Sequence, residues 1–223
     1  MTPAGGVTRR QILGWTAGAV AAASSSRAGA MTQTIPLDQL PPNLPVPKDD
    51  GGCRHLAGMR LPDLELPSTR NRRVNLSKVE AKRLVIYAYP MTGRPGVTLP
   101  AGWDDIPGAR GCTLETCGFR DHHADLARLQ TEVYGVSVQT TEYQQEMVER
   151  LKVPFEVLSD AAMMLVRALT LPTFTAGGMT LIKRLTIVAS AGRIEHVFYP
   201  VFPPDANAPD VVHWLVERNT AGR

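Results

Sequence analysis

The chain has 223 residues, 43% of them hydrophobic, which is enough for one domain of moderate size with a substantial core. Its formal net charge is +3, and Arg9, Arg10 and Arg27 account for the whole excess, because residues 1–30 contain no Asp or Glu. The rest of the chain is neutral. This balance argues against nucleic acid and against an anionic membrane surface as partners.

Residues 1–30 have the pattern of a targeting signal. Thr8–Leu13 resembles a twin-arginine export motif, a short apolar stretch follows, and Ala28–Ala30 suits a signal-peptidase site. The apolar stretch is too short to span a bilayer. We therefore predict export to the periplasm or another extracytoplasmic compartment. The alternative is that Met31 is the true start and that the protein is cytoplasmic.

Residues 31–55 are rich in proline and aspartate and predict an extended arm with no core of its own. Cys53, one of three cysteines, lies near its end. An odd third thiol is either a partner in a mixed disulfide or a bystander, and we favour the bystander. A single folded domain is predicted to follow over residues 56–218.

After the arm, strand patterns alternate with helix patterns along the sequence. Alternating residues in Leu61–Leu66 and Arg73–Leu76 predict a hairpin, and the apolar run in Lys82–Pro90 predicts a central strand. The other predicted elements are a helix starting at Cys112, a strand at Val133–Val138, a helix near Thr141–Leu151, a strand at Glu156–Leu158, a helix near Ala161–Leu169 capped by Ser159-Asp160, strands at Leu185–Ala189 and Ile194–Phe198, and a helix near Asp210–Arg218. This order predicts an α/β sandwich with a mixed sheet.

Two cysteines five positions apart, Cys112 and Cys117, lie where a loop rich in Gly and Pro gives way to a helical pattern. The unpaired backbone N–H groups and the positive dipole end of a first helical turn favour an anion such as a thiolate. This environment lowers the pKa of a cysteine. We therefore predict that Cys112 is an ionised nucleophile.

The spacing of the two cysteines also predicts a structural change. Ideal helix geometry separates their Cα atoms by about 8.6 Å, whereas a disulfide usually requires less than about 7 Å. A bond between Cys112 and Cys117 therefore requires the first turns of the helix to unwind, and the flanking Gly111 and Gly118 lower the cost of that opening. The competing hypothesis is that both cysteines are simply small buried hydrophobic residues.

The segment Arg110–Asp121 resembles the active-site segment of the Q-type peroxiredoxins, also called bacterioferritin comigratory proteins. Their pattern is Thr-Pro-Gly-Cys-Thr, a short gap, Cys-Gly, an apolar residue and Arg-Asp. By this resemblance Cys112 is the peroxidatic cysteine and Cys117 the resolving cysteine. A second similarity, over Lys183–Ile194, implies that Arg184 steadies the thiolate and the peroxide.

The resemblance extends, with gaps, over roughly residues 56–218. It implies a thioredoxin-like fold and a thiol-dependent peroxidase that acts on hydrogen peroxide and small organic hydroperoxides. It also implies a thioredoxin-like dithiol as the reductant and a monomer or weak dimer. The chain lacks a phosphate-binding glycine loop of the dinucleotide or P-loop type, and we expect no bound cofactor. It also lacks the Gly-x-Ser-x-Gly turn of a serine nucleophile.

The chain departs from the family pattern Pro-x-x-x-Thr-x-x-Cys, since Asp105 and Ala109 occupy the proline and threonine positions. The hydroxyl that holds the peroxide in the family is therefore missing where it is expected. We expect the longer loop Gly93–Arg110 to fold back and bring Thr92 or Pro90 to the thiol. Without that repair, peroxidase activity should be weak.

Other hypotheses remain open. A thiol–disulfide oxidoreductase usually has Cys-x-x-Cys, and this spacing is two residues longer. A non-catalytic redox sensor with a degraded peroxide pocket fits the missing threonine. Zinc binding by His122 and His123 is disfavoured, because adjacent helical residues do not converge on one ion. The stretch Phe198–Pro204 is expected to line either the substrate entrance or a dimer contact, and Arg110 is either a second cation near the thiolate or an exposed loop residue.

Overall fold

The computed structural model describes residues 36–221, so the export signal predicted for residues 1–30 lies outside the described residues. Helices and strands alternate along this part of the chain. The strands are β1 (Leu66–Pro67), β2 (Arg73–Val74), β3 (Arg83–Ala88), β4 (Thr131–Ser137), β5 (Val157–Ser159), β6 (Thr173–Ala176), β7 (Met179–Ile182), β8 (Leu185–Ser190) and β9 (Arg193–Phe198). The α-helices are α1 (Cys112–Asp121), α2 (His123–Arg128), α3 (Thr141–Leu151), α4 (Met164–Leu169) and α5 (Asn207–Ala221).

A five-stranded mixed sheet forms the centre of the fold, with strand order β5-β4-β3-β8-β9. Strands β3, β4 and β5 run parallel, whereas β8 pairs antiparallel with both β3 and β9. Residues 84–88 of β3 are all buried, as expected for a strand covered on both faces. The prediction of an α/β fold with a mixed, thioredoxin-like sheet is confirmed.

The side chains of β3 alternate between two hydrophobic clusters. Leu84 and Ile86 belong to the cluster that includes Leu165 of α4. Val85 and Tyr87 face the other way and belong to the cluster with residues of α1, α3 and α5. The helix that carries Cys112 and Cys117 is therefore held against the second face of the sheet.

Helix α4 is shorter at its start than predicted. It begins at Met164 rather than near Ala161, because Met163 adopts a left-handed conformation with φ 55°. The carboxylate of Asp160 nevertheless accepts from the backbone N–H groups of Met164, Leu165 and Val166 at 2.6, 3.1 and 2.9 Å. The predicted capping residue therefore caps the helix across a turn that the sequence pattern did not indicate.

The β6–β7 hairpin is absent from the sequence-based prediction. Thr173–Ala176 and Met179–Ile182 pair antiparallel around Gly177-Gly178. Two alternating runs separated by Gly-Gly are a hairpin signal that the prediction overlooked. Trp103 of the long loop packs against this hairpin in a small cluster with Leu181 and Ala176. The hairpin thus supports the loop that precedes Cys112.

No helix within residues 36–221 is long and apolar enough to cross a bilayer. The end of the arm joins the core of the domain, because Cys53 is buried in the same cluster as Leu56. The predicted first hairpin is present only as the two short strands β1 and β2.

Candidate active site

Helix α1 begins at Cys112, as the sequence predicts. Gly111 precedes it with φ 102°, a left-handed conformation that favours glycine. A Cβ atom at Gly111 would overlap the ring of Pro204 and lie 3.1 Å from the Leu40 side chain of the arm. Glycine is therefore required here by conformation and by space. The arm and the turn that precedes α5 both lie against the first turn of α1.

The Cys112 thiol is buried beside a cation. Nη2 of Arg184 is 3.1 Å from Cys112 Sγ, and the Ala109 carbonyl oxygen is 3.5 Å from the same sulfur. Strand pairing in the sheet explains why Arg184 and Cys112, which are 72 positions apart in the chain, lie next to each other. Ala88, the last residue of β3, is paired with Leu185, so Arg184 lies directly beyond the strand end that leads towards Cys112.

A buried network holds the Arg184 guanidinium in place. Nη1 forms an ion pair with Glu115, and both side chains are essentially inaccessible to solvent. Asn207 donates to Glu115 Oε1 at 2.7 Å and to Thr186 Oγ1 at 2.8 Å. Nη2 also donates to the carbonyl oxygens of Gly108, Ala109 and Arg110 at 3.3, 3.3 and 3.1 Å. These contacts restrict the guanidinium to one position.

Sequence reasoning missed Glu115 and Asn207. Glu115 lies three residues after Cys112 on α1, and Asn207 opens α5 far along the chain. A single glutamate in a helix is normally solvated, so its burial beside an arginine is not visible in the sequence. The only available signal was the helical spacing that turns residue 115 towards the same side as residue 112.

The electrostatics of the thiol differ from the prediction. Burial raises the pKa of Cys112 above its ordinary value, the Arg184 charge opposes that rise, and the nearby Glu115 adds to it. The expected lowered pKa is therefore wrong for this closed arrangement, because desolvation outweighs the cation. Burial likewise raises the pKa of Glu115 to about 7, against the opposing charge of Arg184.

The segment after β3 reaches the thiol through a backbone group. A hydrogen bond from the Met91 backbone N–H favours the Cys112 thiolate. Thr92 is buried, and its backbone N–H and Oγ1 lie 2.9 and 3.2 Å from Gln139 Oε1. Pro90 is buried just before them. Whether Thr92 or Pro90 replaces the missing family residues stays a prediction, and the buried Ala109 supplies no hydroxyl.

Cys117 is half-buried on the same intact helix, and its thiol is free like those of Cys112 and Cys53. Burial raises its pKa, and the Arg120 charge opposes the rise. An unbroken helix keeps the Cα atoms of residues 112 and 117 about 8.6 Å apart. The structure is therefore that of a reduced, closed site.

Arg110 and His122, for which the sequence left a role near the thiolate or in metal binding open, both contact acidic side chains. Arg110 is buried, pairs with Asp104 at 3.3 Å and donates to the Pro36 carbonyl of the arm at 3.0 Å. His122 Nδ1 lies 3.0 Å from Asp125 Oδ2. Within residues 36–221 there is no group of three or more His, Cys, Asp or Glu residues arranged to hold a metal ion.

Residues 56–213 match the protein-family model named Redoxin. Among curated proteins, the chain is 27% identical over 175 residues to the chloroplastic peroxiredoxin Q of Sedum lineare, covering 78% of this chain and 85% of that protein. It is also 27% identical over 165 residues to peroxiredoxin Bcp of Escherichia coli K12, covering 72% of this chain and 96% of that protein.

Solved structures show the same fold at lower identity. Peroxidoxin BcpB from Mycobacterium tuberculosis matches with a TM-score of 0.59 and 24% identity, covering 72% of this chain and 96% of that one. Peroxiredoxin Q of Xanthomonas campestris matches with a TM-score of 0.57 and 22% identity, covering 72% of this chain and 97% of that one. At these identities the likeness concerns the fold alone.

Proposed function

Because the chain belongs to the Redoxin family, as a thiol-dependent peroxidase of the Q-type peroxiredoxins, we propose that Cys112 is its peroxidatic cysteine. One observation carries this assignment. Of the three thiols, Cys112 is the one that opens a helix with an arginine nitrogen at hydrogen-bond distance, 3.1 Å from its sulfur. Cation and helix start both favour the thiolate, which is the nucleophilic form.

The first step is attack of the Cys112 thiolate on the terminal oxygen of a hydroperoxide. A sulfur–oxygen bond forms and the O–O bond breaks. The sulfur is oxidised by two electrons to a sulfenic acid, and the second peroxide oxygen takes a proton and leaves as water or an alcohol. Arg184 stabilises the negative charge that moves from sulfur to the departing oxygen.

The raised pKa of Cys112 in the closed site sets a condition on this step. Burial is the main cause, so admission of water and peroxide beside the sulfur lowers the cost of forming the thiolate. Arg184 and the Met91 N–H, which already favour the anion, then act with less opposition. We therefore propose that opening of the site and ionisation of the thiol occur together.

In the second step Cys117 acts as the resolving cysteine. Its sulfur attacks the sulfenic acid at Cys112, a disulfide forms and water leaves. Since an intact α1 holds the two residues too far apart, its first turns must unwind. An external dithiol of the thioredoxin type then reduces the disulfide by exchange and becomes oxidised itself.

Rapid mixing with hydrogen peroxide, followed by acid quench and mass spectrometry, tests this assignment. Oxidation at Cys112 should be orders of magnitude faster than that of free cysteine, and Cys112→Ser should abolish it. Cys117→Ser should keep the first oxidation and lose recycling, so that the sulfenic acid accumulates. Peroxide consumption that survives Cys112→Ser would contradict the proposal.

A redox sensor is the second candidate, because Ala109 lies at the turn beside the thiol with no hydroxyl to hold a peroxide. The same rapid-mixing experiment separates the two. A sensor should oxidise at a rate close to that of free cysteine, and its oxidation should not depend on Arg184.

The working compartment and assembly state are part of the proposal. The twin-arginine pattern in residues 1–30 supports export, and fusing those residues to a reporter that is active only outside the cytoplasm tests it. Sedimentation at several concentrations tests the proposed monomer or weak dimer.

A further inference from the structure

The arm reaches the start of the helix that carries both cysteines. Residues 36–40, which we call the strap, lie against the two residues that precede the first turn of α1. The Pro36 carbonyl accepts from Arg110 Nη2 at 3.0 Å. The Leu40 side chain lies so close to Gly111 that a Cβ atom there would be 3.1 Å from it. The strap therefore contacts the chain at the point where α1 begins.

The strap also lies near the second cysteine and on the long loop. Burial is the main cause that raises the pKa of the Cys117 thiol, and the carboxylates of Asp121 and Asp38 add to it. Asp38 of the strap is thus close enough for its charge to act on this thiol. A Cβ atom at Gly93 would be 2.7 Å from the Leu37 side chain, so Leu37 packs on the start of the loop.

Charged contacts fasten the other end of the arm to the domain. Asp50 accepts from Lys183 Nζ at 2.6 Å and from the Tyr199 hydroxyl at 2.7 Å. The whole arm precedes residue 56, where the family match begins. The base of the arm is therefore fixed, and the strap can leave α1 while the rest of the arm stays attached.

The strap buries little apolar surface. Leu37 and Leu40 are half-buried, and the other three residues of the strap are exposed. Segments of this kind open locally at a lower cost than unfolding of the whole domain. A disulfide between Cys112 and Cys117 requires the first turns of α1 to unwind. Because the strap contacts the two residues before α1, this unwinding must break its contacts.

We propose that the strap holds α1 closed and thereby sets the fate of the Cys112 sulfenic acid. In one fate the Cys117 thiol attacks the oxidised sulfur, a disulfide bond forms and water leaves. In the other fate the sulfenic acid attacks a second hydroperoxide. A sulfur–oxygen bond then forms, the O–O bond breaks, the sulfur is oxidised by two further electrons to a sulfinic acid, and water or an alcohol leaves.

Only the first of these fates requires α1 to unwind. A tightly held strap therefore favours the sulfinic acid, and a loosely held strap favours the disulfide. This inference rests on the proposed function and adds a control on its second step. Leu37 and Leu40 are positioning residues in this scheme, since they act through the backbone on either side of the long loop.

Loosening the strap in the full chain tests the proposal. Leu37→Ala combined with Leu40→Ala removes both half-buried side chains, and Val46→Ala is the control at a position of the same arm that is 63% exposed. After reaction with hydrogen peroxide, acid quench and mass spectrometry give the ratio of disulfide to sulfinic acid at each peroxide concentration. We expect the double variant to raise this ratio at least about threefold. Val46→Ala should leave it near wild type.

Both products arise from the same sulfenic acid, so their ratio does not depend on the rate of the first oxidation. An unchanged ratio in the double variant would overturn the proposal. Hydrogen exchange of the reduced proteins shows where the variant acts. Amides of residues 111–118 should exchange faster than in wild type, and those of α3 should not. Faster exchange in α3 as well would mean that the two leucines only stabilise the fold, which also overturns the proposal.

A measurement on the unmodified protein needs no variant. Diamide takes up the two thiol hydrogens and forms the Cys112–Cys117 disulfide without any peroxide, and mass spectrometry identifies the bond. Nuclear Overhauser contacts between the Leu40 methyl protons and the Gly111 Hα should be present in the reduced form and absent in the disulfide form. Contacts that persist in the disulfide form would overturn the proposal, whether or not the double variant folds.

The outcomes separate the two levels of inference. If hydrogen peroxide does not oxidise Cys112 of the wild type, the proposed function fails, and the diamide experiment still tests the link between the strap and α1. If the sulfenic acid and the disulfide both form and the double variant leaves their partition unchanged, only the role of the strap fails.

Discussion

Cys53 and Cys112 are both buried thiols, with 6% and 3% of their surface exposed, yet their surroundings differ in charge. Burial raises the pKa of both, to about 12 for Cys53. At Cys53 the carboxylates of Asp50 and Asp49 raise it further, and Lys183 opposes them more weakly. At Cys112 the Arg184 guanidinium opposes the rise more strongly than Glu115 adds to it. Burial alone therefore does not distinguish a reactive cysteine from an inert one, and a fixed cation does.

Removing that cation should erase the difference between the two thiols. Arg184→Met should slow oxidation of Cys112 by peroxide about 10²–10³-fold, since the charge that stabilises the thiolate and the leaving oxygen is lost. The pKa of Cys112 should rise further. Stopped-flow rates and ultraviolet absorbance of the thiolate against pH measure the two effects.

Two further variants control this experiment. Arg193→Met removes an exposed arginine of β9 and should leave the rate near wild type. Arg184→Met combined with Glu115→Gln avoids a buried unpaired carboxylate, so that a loss of folding is not mistaken for a loss of catalysis. An unchanged rate in the folded double variant would refute the role of Arg184.

Removing the neighbouring anion should act in the opposite direction. Glu115→Gln deletes a negative charge that raises the pKa of Cys112, so the thiol pKa should fall. The shift is measured as thiolate absorbance against pH, with the exposed Glu149→Gln as control. A thiol pKa that rises would show that the ion pair mainly positions Arg184.

The same variant should change how stability depends on pH. Burial raises the pKa of Glu115 from 4.5 to about 7, so between these values the folded chain holds a proton that the unfolded chain releases. The free energy of unfolding of the wild type should therefore fall as pH rises through this range, by up to about 3 kcal/mol from this group. Chemical denaturation of wild type and Glu115→Gln at pH 5 and pH 8 isolates the contribution, which the variant should lack.

The smallest effect is expected at the other buried thiol. Cys53→Ser should leave the rate of Cys112 oxidation within about twofold and cost stability only through lost packing, on the order of 1 kcal/mol. Peroxide kinetics and thermal unfolding check both. A marked loss of recycling in this variant would instead place Cys53 in a mixed disulfide and revise its assignment as a bystander.

Local pattern and motif predicted much of the fold. The apolar run of β3, the helix beginning at Cys112 and the alternation of strands and helices follow from periodicity and from Gly and Pro positions. The β6–β7 hairpin was also within reach, because Gly177-Gly178 separates two alternating runs. The packing of Trp103 on this hairpin, in contrast, depends on tertiary contacts that no local pattern shows.

The site was only partly predictable. Motif and resemblance predict Cys112, Cys117 and Arg184 as site residues, and Arg184 does lie against the Cys112 sulfur. Glu115 and Asn207 were not found, because an ordinary helical glutamate and a helix-start asparagine carry no local sign of burial. The predicted direction of the thiol pKa failed for the same reason, since desolvation depends on what covers the sulfur.

The sequence by itself determined which residue types occur at which spacing along each element. That spacing was enough to predict the helix start at Cys112, the separation of the two cysteines along the helix and the family. Tertiary structure alone decided the electrostatics. Pairing of β3 with β8 brings Arg184 to the sulfur, and burial of Glu115 beside it sets the charge that the thiol experiences. The physical reason is that Coulomb energies and desolvation depend on distances through space and on solvent exclusion, neither of which a linear spacing contains.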